Sequence, residues 1–449
     1  MPSPSFPGAA SRVIDSRPLS SRQYLILILC GSVIFLDGLD TQSISIATRS
    51  MAASLHVSLS SFGFVYSVLQ LGGLLGTFLF GYLADRWGRR PLVVVAVLMV
   101  GMLTVGTAFV ENYTQLVIVR FLGGIGLGGI FPCVLTLGAE FVHTRSRGRV
   151  VAILLANYSL GAAVGAVING YVLVHLGWRA VFLTGGVLSM IASLAIIIWL
   201  PESPQFLLSR GRLDKLRKLF RQLFHNEQID ADGLRVAAPT GTDAADRAKF
   251  REILGDGRTA VTLLLLAILL LSYATIKVMT VWLTPLLQTA GIPVVRTAYV
   301  LAALDIGSML GLGFAGYLVT RFGPTRSLAP ALAALGAAIV LAALQIAHFP
   351  VLLPSGFVIG FAGGIGQSAP LALFALVYPA RIRSTAVGCG AAAGQIGKIC
   401  SPMLVGAVLA NGWKPDSILF AVALLPMLGV MLIGLTLRGG LVPARAWHT

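Results

Sequence analysis

The sequence predicts an all-α membrane protein whose twelve transmembrane helices form two pseudo-symmetric six-helix bundles. Three observations carry this expectation. The 449 residues are 56% hydrophobic and only 11% charged, where a soluble domain carries roughly 25% charged residues. Mean hydropathy is +0.87, and the apolar residues are gathered into runs of about 20, the length that crosses roughly 30 Å of hydrocarbon. The halves also repeat: Gly81-Tyr-Leu-Ala-Asp-Arg-Trp-Gly88 returns as Gly316-Tyr-Leu-Val-Thr-Arg-Phe-Gly323, and duplicated halves mark proteins that rock about a site between them.

The spans fall at roughly 23–48, 59–83, 91–110, 115–140, 149–174, 177–200, 259–288, 295–319, 327–347, 350–377, 384–410 and 416–437. The chain therefore divides into a tail (1–22), a six-helix bundle (23–200), a central loop (201–258), a second bundle (259–437) and a tail (438–449). The segment Met1 to Ser21 is polar, and the run that follows is long and carries two Asp. It does not read as a cleavable signal peptide.

The formal charge of +16 sits in the links between spans. That placement argues for topology and against a nucleic-acid partner. The links on one side hold Arg86, Arg89, Arg90, Arg145, Arg147, Arg149, Arg321 and Arg326, while the other side has only Arg49, Arg179, Arg296 and Lys414. Both termini and the central loop are thus expected in the cytoplasm of a bacterial-type inner membrane. Within the loop, Arg212–Asn226 places Leu213, Leu216, Phe220, Leu223 and Phe224 at helical spacing between Lys and Arg, a basic amphipathic helix suited to the anionic face of the bilayer. The stretch 227–249 reads as a flexible linker.

Four cysteines, Cys30, Cys133, Cys389 and Cys400, lie in apolar runs without the spacing of a metal or redox motif. No metal, cofactor or catalytic group is expected, and a monomer is. The Gly runs at 123–129 and 360–366 lack the strand context of a nucleotide loop and suit close helix packing.

The informative residues are the ionisable ones inside the spans: Asp37, Asp40, Arg120, Lys277, Asp305 and Lys398. A charge at mid-bilayer costs at least about 2.5–3.5 kcal/mol, so such residues default to function. Asp37 and Asp40 share a face of span one. Asp40 lies about 12 Å, and Arg120 about 8 Å, below the outer ends of their predicted spans. An acid–arginine couple at that depth is a proton switch or a static ion pair. Asp305 and Lys398 both fall near mid-span. They pair, or Lys398 takes an anion while Asp305 holds it ready. Lys277 is a second anion ligand or a snorkelling side chain. Phe35, Tyr66, Tyr158, Trp282 and Tyr378 are available to stack on a ring.

The motif Gly81–Arg90, GYLADRWGRR, resembles the helix 2–3 loop of Major Facilitator Superfamily transporters, and Gly177-Trp-Arg179 and Pro201-Glu-Ser-Pro204 are similar to further marks of that family. Within it, Asp37-Gly-Leu-Asp40, Arg120 before a Gly ladder, and Tyr378-Pro-Ala-Arg-Ile-Arg383 resemble the aromatic acid:proton symporters. The resemblance implies the major facilitator fold, uptake of benzoate-type or ring-cleavage acids with protons, and a transport role for Asp37 and Asp40. It also implies a gate in which the Asp85 carboxylate, held near a helix N-terminus with Gly81, Arg86, Gly88, Arg89 and Arg90, latches the inner side, with Glu140 in the same network. One departure is Gln395, where the family commonly has Arg; the nearest cation is Lys398. Gln395 and Lys398 are therefore candidates for the substrate site.

The expected partners are a small organic anion, protons and the lipid bilayer. A proton-driven exporter of drugs or metabolites is the main alternative, and Asn157–Tyr171 has glycines but not the internal Pro of such exporters. A symporter of a sugar or aliphatic acid is another, but a sugar porter's closing Pro-Glu-Thr mark is missing from Leu437–Thr449. A sensor without flux would need a signalling module.

Overall fold

The computed structural model describes residues 14–224 and 259–438. The expected linker 227–249 and the tail beyond Arg438 lie outside the described residues. Helix α1 (Ser21–Ser54) opens on a capping box, Ser20 and Gln23 each satisfying the other's backbone N–H. It is followed by α2 (Phe62–Trp87), α3 (Arg89–Thr107) and α4 (Tyr113–Glu140). The helical stretch Arg147–Trp199 runs on for 53 residues, about 80 Å at 1.5 Å per residue and far more than a bilayer needs. Gly177, at φ 81° and ψ 173°, breaks it into two spans, α5 (147–176) and α6 (178–199). Two short helices, α7 (Pro204–Ser209) and α8 (Leu213–Leu223), close the first half. The second half holds α9 (Thr259–Thr289), α10 (Val294–Phe322), α11 (Pro324–Leu344), α12 (Phe349–Val377), α13 (Ala380–Ala410) and α14 (Pro415–Arg438). Among the described residues twelve spans result, α1 to α6 and α9 to α14.

The halves repeat in packing as well as sequence. The pairs α1–α5, α2–α4 and α3–α4 of the first half recur as α9–α13, α10–α12 and α11–α12 of the second. Small residues bring the axes together. A side chain at Gly38 would strike the Tyr158 carbonyl, and one at Gly161 the Phe35 carbonyl. The glycine runs behave as expected, Gly124 lying on the Leu69 carbonyl and Gly360 on that of Leu304.

Because the span number is even, the first and last spans open and close on one face, here the terminal face, opposite a distal face. The contacts that join the halves cluster toward the distal face. Ser45 Oγ donates to the Thr280 and Val281 carbonyls at 3.2 Å each, and Arg49 donates to the Gln288 carbonyl. Gly63 of α2 packs on Pro402 and Gly406 of α13. The Tyr171 and Tyr299 hydroxyls meet at 2.7 Å between α5 and α10. The edge of Tyr66 meets Trp282 at 5.6 Å between ring centroids. The halves are sealed distally.

One sequence expectation changes. The apolar face of α8 does not await a bilayer: Leu216, Leu219, Phe220 and Leu223 are buried in one cluster with Ile14, Ile26, Phe141 and Leu207. Burying four large apolar side chains stabilises this docking by several kcal/mol, at about 1.5–3 kcal/mol each. Residues 14–20 pack beside it. Asp15 accepts hydrogen bonds from Thr144 at 2.7 and 2.8 Å, and the Arg17 guanidinium lies over the Phe224 ring at 5.1 Å.

Candidate functional site

A set of polar side chains meets at one depth between the halves. Gln42 and Lys277 are each 12 residues, and Asp305 11, from the distal end of its helix, or about 16–18 Å. Lys398 is likewise 12 residues from Ala410. The amide of Gln42 donates to Asp305 Oδ2 at 2.7 Å, across the two halves. Asp305 therefore has its partner on α1, and no ion pair joins it to Lys398. Instead the Lys398 ammonium lies 4.6 Å from the centroid of the Tyr273 ring, a cation–π contact. Lys277 follows Tyr273 by one turn on the same face of α9, and its charge repels that of Lys398.

Both lysines face the other half. On α9 the face of Lys277 continues distally to Val281 and Gln288, which contact Ser45 and Arg49 of α1. On α13 the face of Lys398 continues to Pro402, which packs on Gly63, while Ile396, Met403 and Leu404 on the opposite face are exposed. Lys277 is thus not a snorkelling residue at the lipid boundary. Gln395 is half-buried one turn below Lys398 on the same face.

The α1 acids divide. Asp40 turns into the first bundle, toward Arg120, with the Thr104 hydroxyl within hydrogen-bonding reach. Asp40 and Arg120 line a cavity of about 10 Å³ with Thr104, Thr107 and Leu69, room for about one water. One Asp40 oxygen and the Arg120 Nε and Nη2 atoms have no direct partner, so the couple is brought together without closing into an ion pair. The Arg120 guanidinium lies 4.6 Å from the Phe182 ring centroid. Asp40 lies deeper than the sequence places it because α1 runs on to Ser54, and Arg120 slightly deeper because α4 begins at Tyr113. Asp40 is about 21 Å, and Arg120 about 10 Å, from the distal ends of their helices. Asp37 sits a turn deeper. The Tyr158 hydroxyl lies in the field of Asp37, Asp40 and Asp305 and donates to Thr41 Oγ1 at 3.3 Å.

At the terminal face the carboxylate on the helix N-terminus is not that of Asp85. Glu202 Oε1 accepts from the backbone N–H groups of Arg89, Arg90 and Ser203 at 3.0, 3.2 and 2.9 Å, which caps α3 and complements its dipole. Arg89 pairs with Glu140, and Ser203 donates to the same Glu140. Arg90 donates to the Ile197 carbonyl at 2.6 Å. Gly88, at φ 102°, turns the chain so closely over Glu202 that a side chain would strike the carboxylate; Gly323 repeats the turn at φ 81°. Asp85 is exposed, and its backbone carbonyl, with that of Arg86, accepts from Arg210 at 3.0 Å. The Arg86 guanidinium lies 4.5 Å from the Tyr82 ring centroid. A side chain at Gly81 would meet open space, so close packing there is not observed. Thr320, the counterpart of Asp85, bonds only to carbonyls of its own helix.

Sequence reasoning passed over Gln42, Tyr273 and Tyr158 as polar contacts, and Glu202 as a cap. Gln42 carries a readable signal, since an amide in an apolar run needs a partner. The role of Glu202 depends on where α6 ends in space.

Comparison with known proteins follows the same lines. The family model described as Major Facilitator Superfamily matches residues 30–313 and 265–446. The gallate transporter of Pseudomonas putida is 32% identical over 89% of this chain and 88% of its own length. The 4-hydroxybenzoate transporter PcaK of Pseudomonas putida is 29% identical over 94% and 95%. Among solved structures, the inward open xylose transporter XylE from E. coli superposes with a TM-score of 0.72 at 18% identity, covering 92% of this chain and 96% of that one.

Proposed function

The chain belongs to the Major Facilitator Superfamily, and on that premise we propose that it takes up an aromatic or ring-cleavage-derived carboxylate together with protons, by alternating access. It is a multi-pass membrane transporter, not an enzyme. The observation that carries the proposal is the placement of Lys277 and Lys398 on faces turned toward the first half, at the depth where Gln42 and Asp305 join the halves. A carboxylate entering between the halves meets two ammonium groups and the Tyr273 ring. The similarity to gallate and 4-hydroxybenzoate transporters supports a ring acid as that carboxylate.

In this reading Lys398 and Lys277 bind the anion, with Gln395 beside them, and Asp305 waits on Gln42. Asp37, Asp40 and Arg120 carry the proton. A carboxylate in the apolar interior is stable only when paired, hydrated or protonated. The space between Asp40 and Arg120 lets a rocking motion change which of these holds. The 23–200 and 259–437 bundles act as the rocking bodies, working as a monomer. The positive terminal-face links favour a cytoplasmic position for both termini and the central loop, which makes the distally sealed form the inward-facing one. The network of Gly88, Arg89, Glu140 and Glu202 stiffens the inner end of the first bundle, leaving Asp85 free to latch onto the second bundle when the inner side closes.

Counterflow tests the substrate class. Proteoliposomes preloaded with unlabelled 4-hydroxybenzoate are expected to take up labelled 4-hydroxybenzoate or gallate transiently above equilibrium, and not labelled xylose. Counterflow of labelled xylose into vesicles preloaded with unlabelled xylose, beside none of a ring carboxylate into vesicles preloaded with 4-hydroxybenzoate, would overturn the assignment.

A further inference from the structure

The two lysines pose a problem of charge. Lys398 rests on the Tyr273 ring, Lys277 projects from the next turn of the same helix face, and neither has a carboxylate in an ion pair among the described residues. The nearest acid of the second half, Asp305, is held by Gln42. Asp40 turns away into the first bundle with Arg120. Two like charges are therefore held at one depth on neighbouring helices, α9 and α13, in a region where an unpaired charge is costly. The helices cannot readily spread to separate them. Gly397, next to Lys398, lies directly on the Leu270 carbonyl, and Ser401 Oγ donates to the Ala274 carbonyl at 3.3 Å.

We infer that the Lys277–Lys398 wall is a seat for two negative charges, so that the preferred substrate carries two acidic groups. This rests on the carboxylate reading above and deepens it. A single carboxylate leaves one ammonium uncompensated, whereas a dicarboxylate places one oxygen anion on each and leaves Tyr273 against its carbon frame. Displacement of Gln42 from Asp305 couples substrate arrival to the contact between the halves.

Isothermal titration of the purified full-length protein at pH 7.5 tests this, with benzoate, benzene-1,3-dicarboxylate, benzene-1,4-dicarboxylate and hexanedioate as ligands. The expected result is that a ring dicarboxylate binds on the order of tenfold or more tightly than benzoate, as one added charge-assisted contact gives. Lys277→Gln and Lys398→Gln should each remove that preference, while Lys→Arg at either position retains part of it. A monodisperse gel-filtration peak for each variant separates lost binding from lost fold. Hexanedioate binding as tightly as the ring dicarboxylates supports the charge seat and removes Tyr273 from the selection of the carbon frame. Equal affinity for benzoate and the dicarboxylates overturns the two-charge seat alone. Equal proportional loss of both ligand types in each Lys→Gln variant overturns it too, because one carboxylate then bridges both lysines. Failure of every carboxylate to bind overturns the carboxylate reading together with it.

Discussion

At the terminal face the carboxylates of Asp85 and Glu202 stand in different surroundings. Glu202 Oε1 gathers three backbone N–H groups, so Glu202→Ala leaves two helix N-terminal donors without their acceptor. It is expected to lower stability by about 1–2 kcal/mol, read as a fall in the midpoint of thermal unfolding in detergent. Asp85 is exposed, so Asp85→Asn should leave that midpoint within the range of ordinary surface changes, about 0.5 kcal/mol, while slowing transport. A large loss of stability in Asp85→Asn with none in Glu202→Ala would reverse the assignment. The sequence motif points to the loop but not to the carboxylate that caps α3, because the cap arrives from 113 residues further along the chain. Asp305 shows the same limit. Depth alone suggests Lys398 as its partner, and only the azimuth of α1 brings Gln42 to it.

At the scale of elements, the α1–α5 seam positions the acids. Gly38, next to Asp37, lies on the Tyr158 carbonyl, and Gly161 lies on that of Phe35. Gly161→Val forces two backbones apart and is expected to cost about 3 kcal/mol, seen as loss of the monodisperse peak on gel filtration. Gly148→Val, where a side chain meets open space, should keep it. Equal behaviour of the two would deny the seam its structural role. The spans are legible because apolar runs of about 20 residues are a strong signal, and the Gly177 break is legible because α5 and α6 together exceed the bilayer. The surface of α8 is less so. A basic amphipathic helix reads alike whether its apolar face meets lipid or protein, and here it meets Ile14, Phe141 and Leu207.

For the whole molecule the account rests on one state and one motion. The halves are sealed distally through Ser45, Arg49, Gly63, Tyr66 and Tyr171, and Asp37, Asp40, Lys277, Asp305 and Lys398 lie on the terminal side of that seal. Duplicated halves make the opposite state accessible by rocking, and in the proposed mechanism protonation of the acids in α1 ties that motion to the substrate. The most direct measurement is accumulation of labelled 4-hydroxybenzoate in proteoliposomes under an imposed gradient, acid outside, for the native protein and for Asp37→Asn. The native protein should concentrate the label several-fold above equilibration and lose it on addition of a protonophore. Asp37→Asn should exchange label across the membrane yet never exceed equilibration. Undiminished, protonophore-sensitive accumulation by Asp37→Asn would contradict the account and move the proton away from α1.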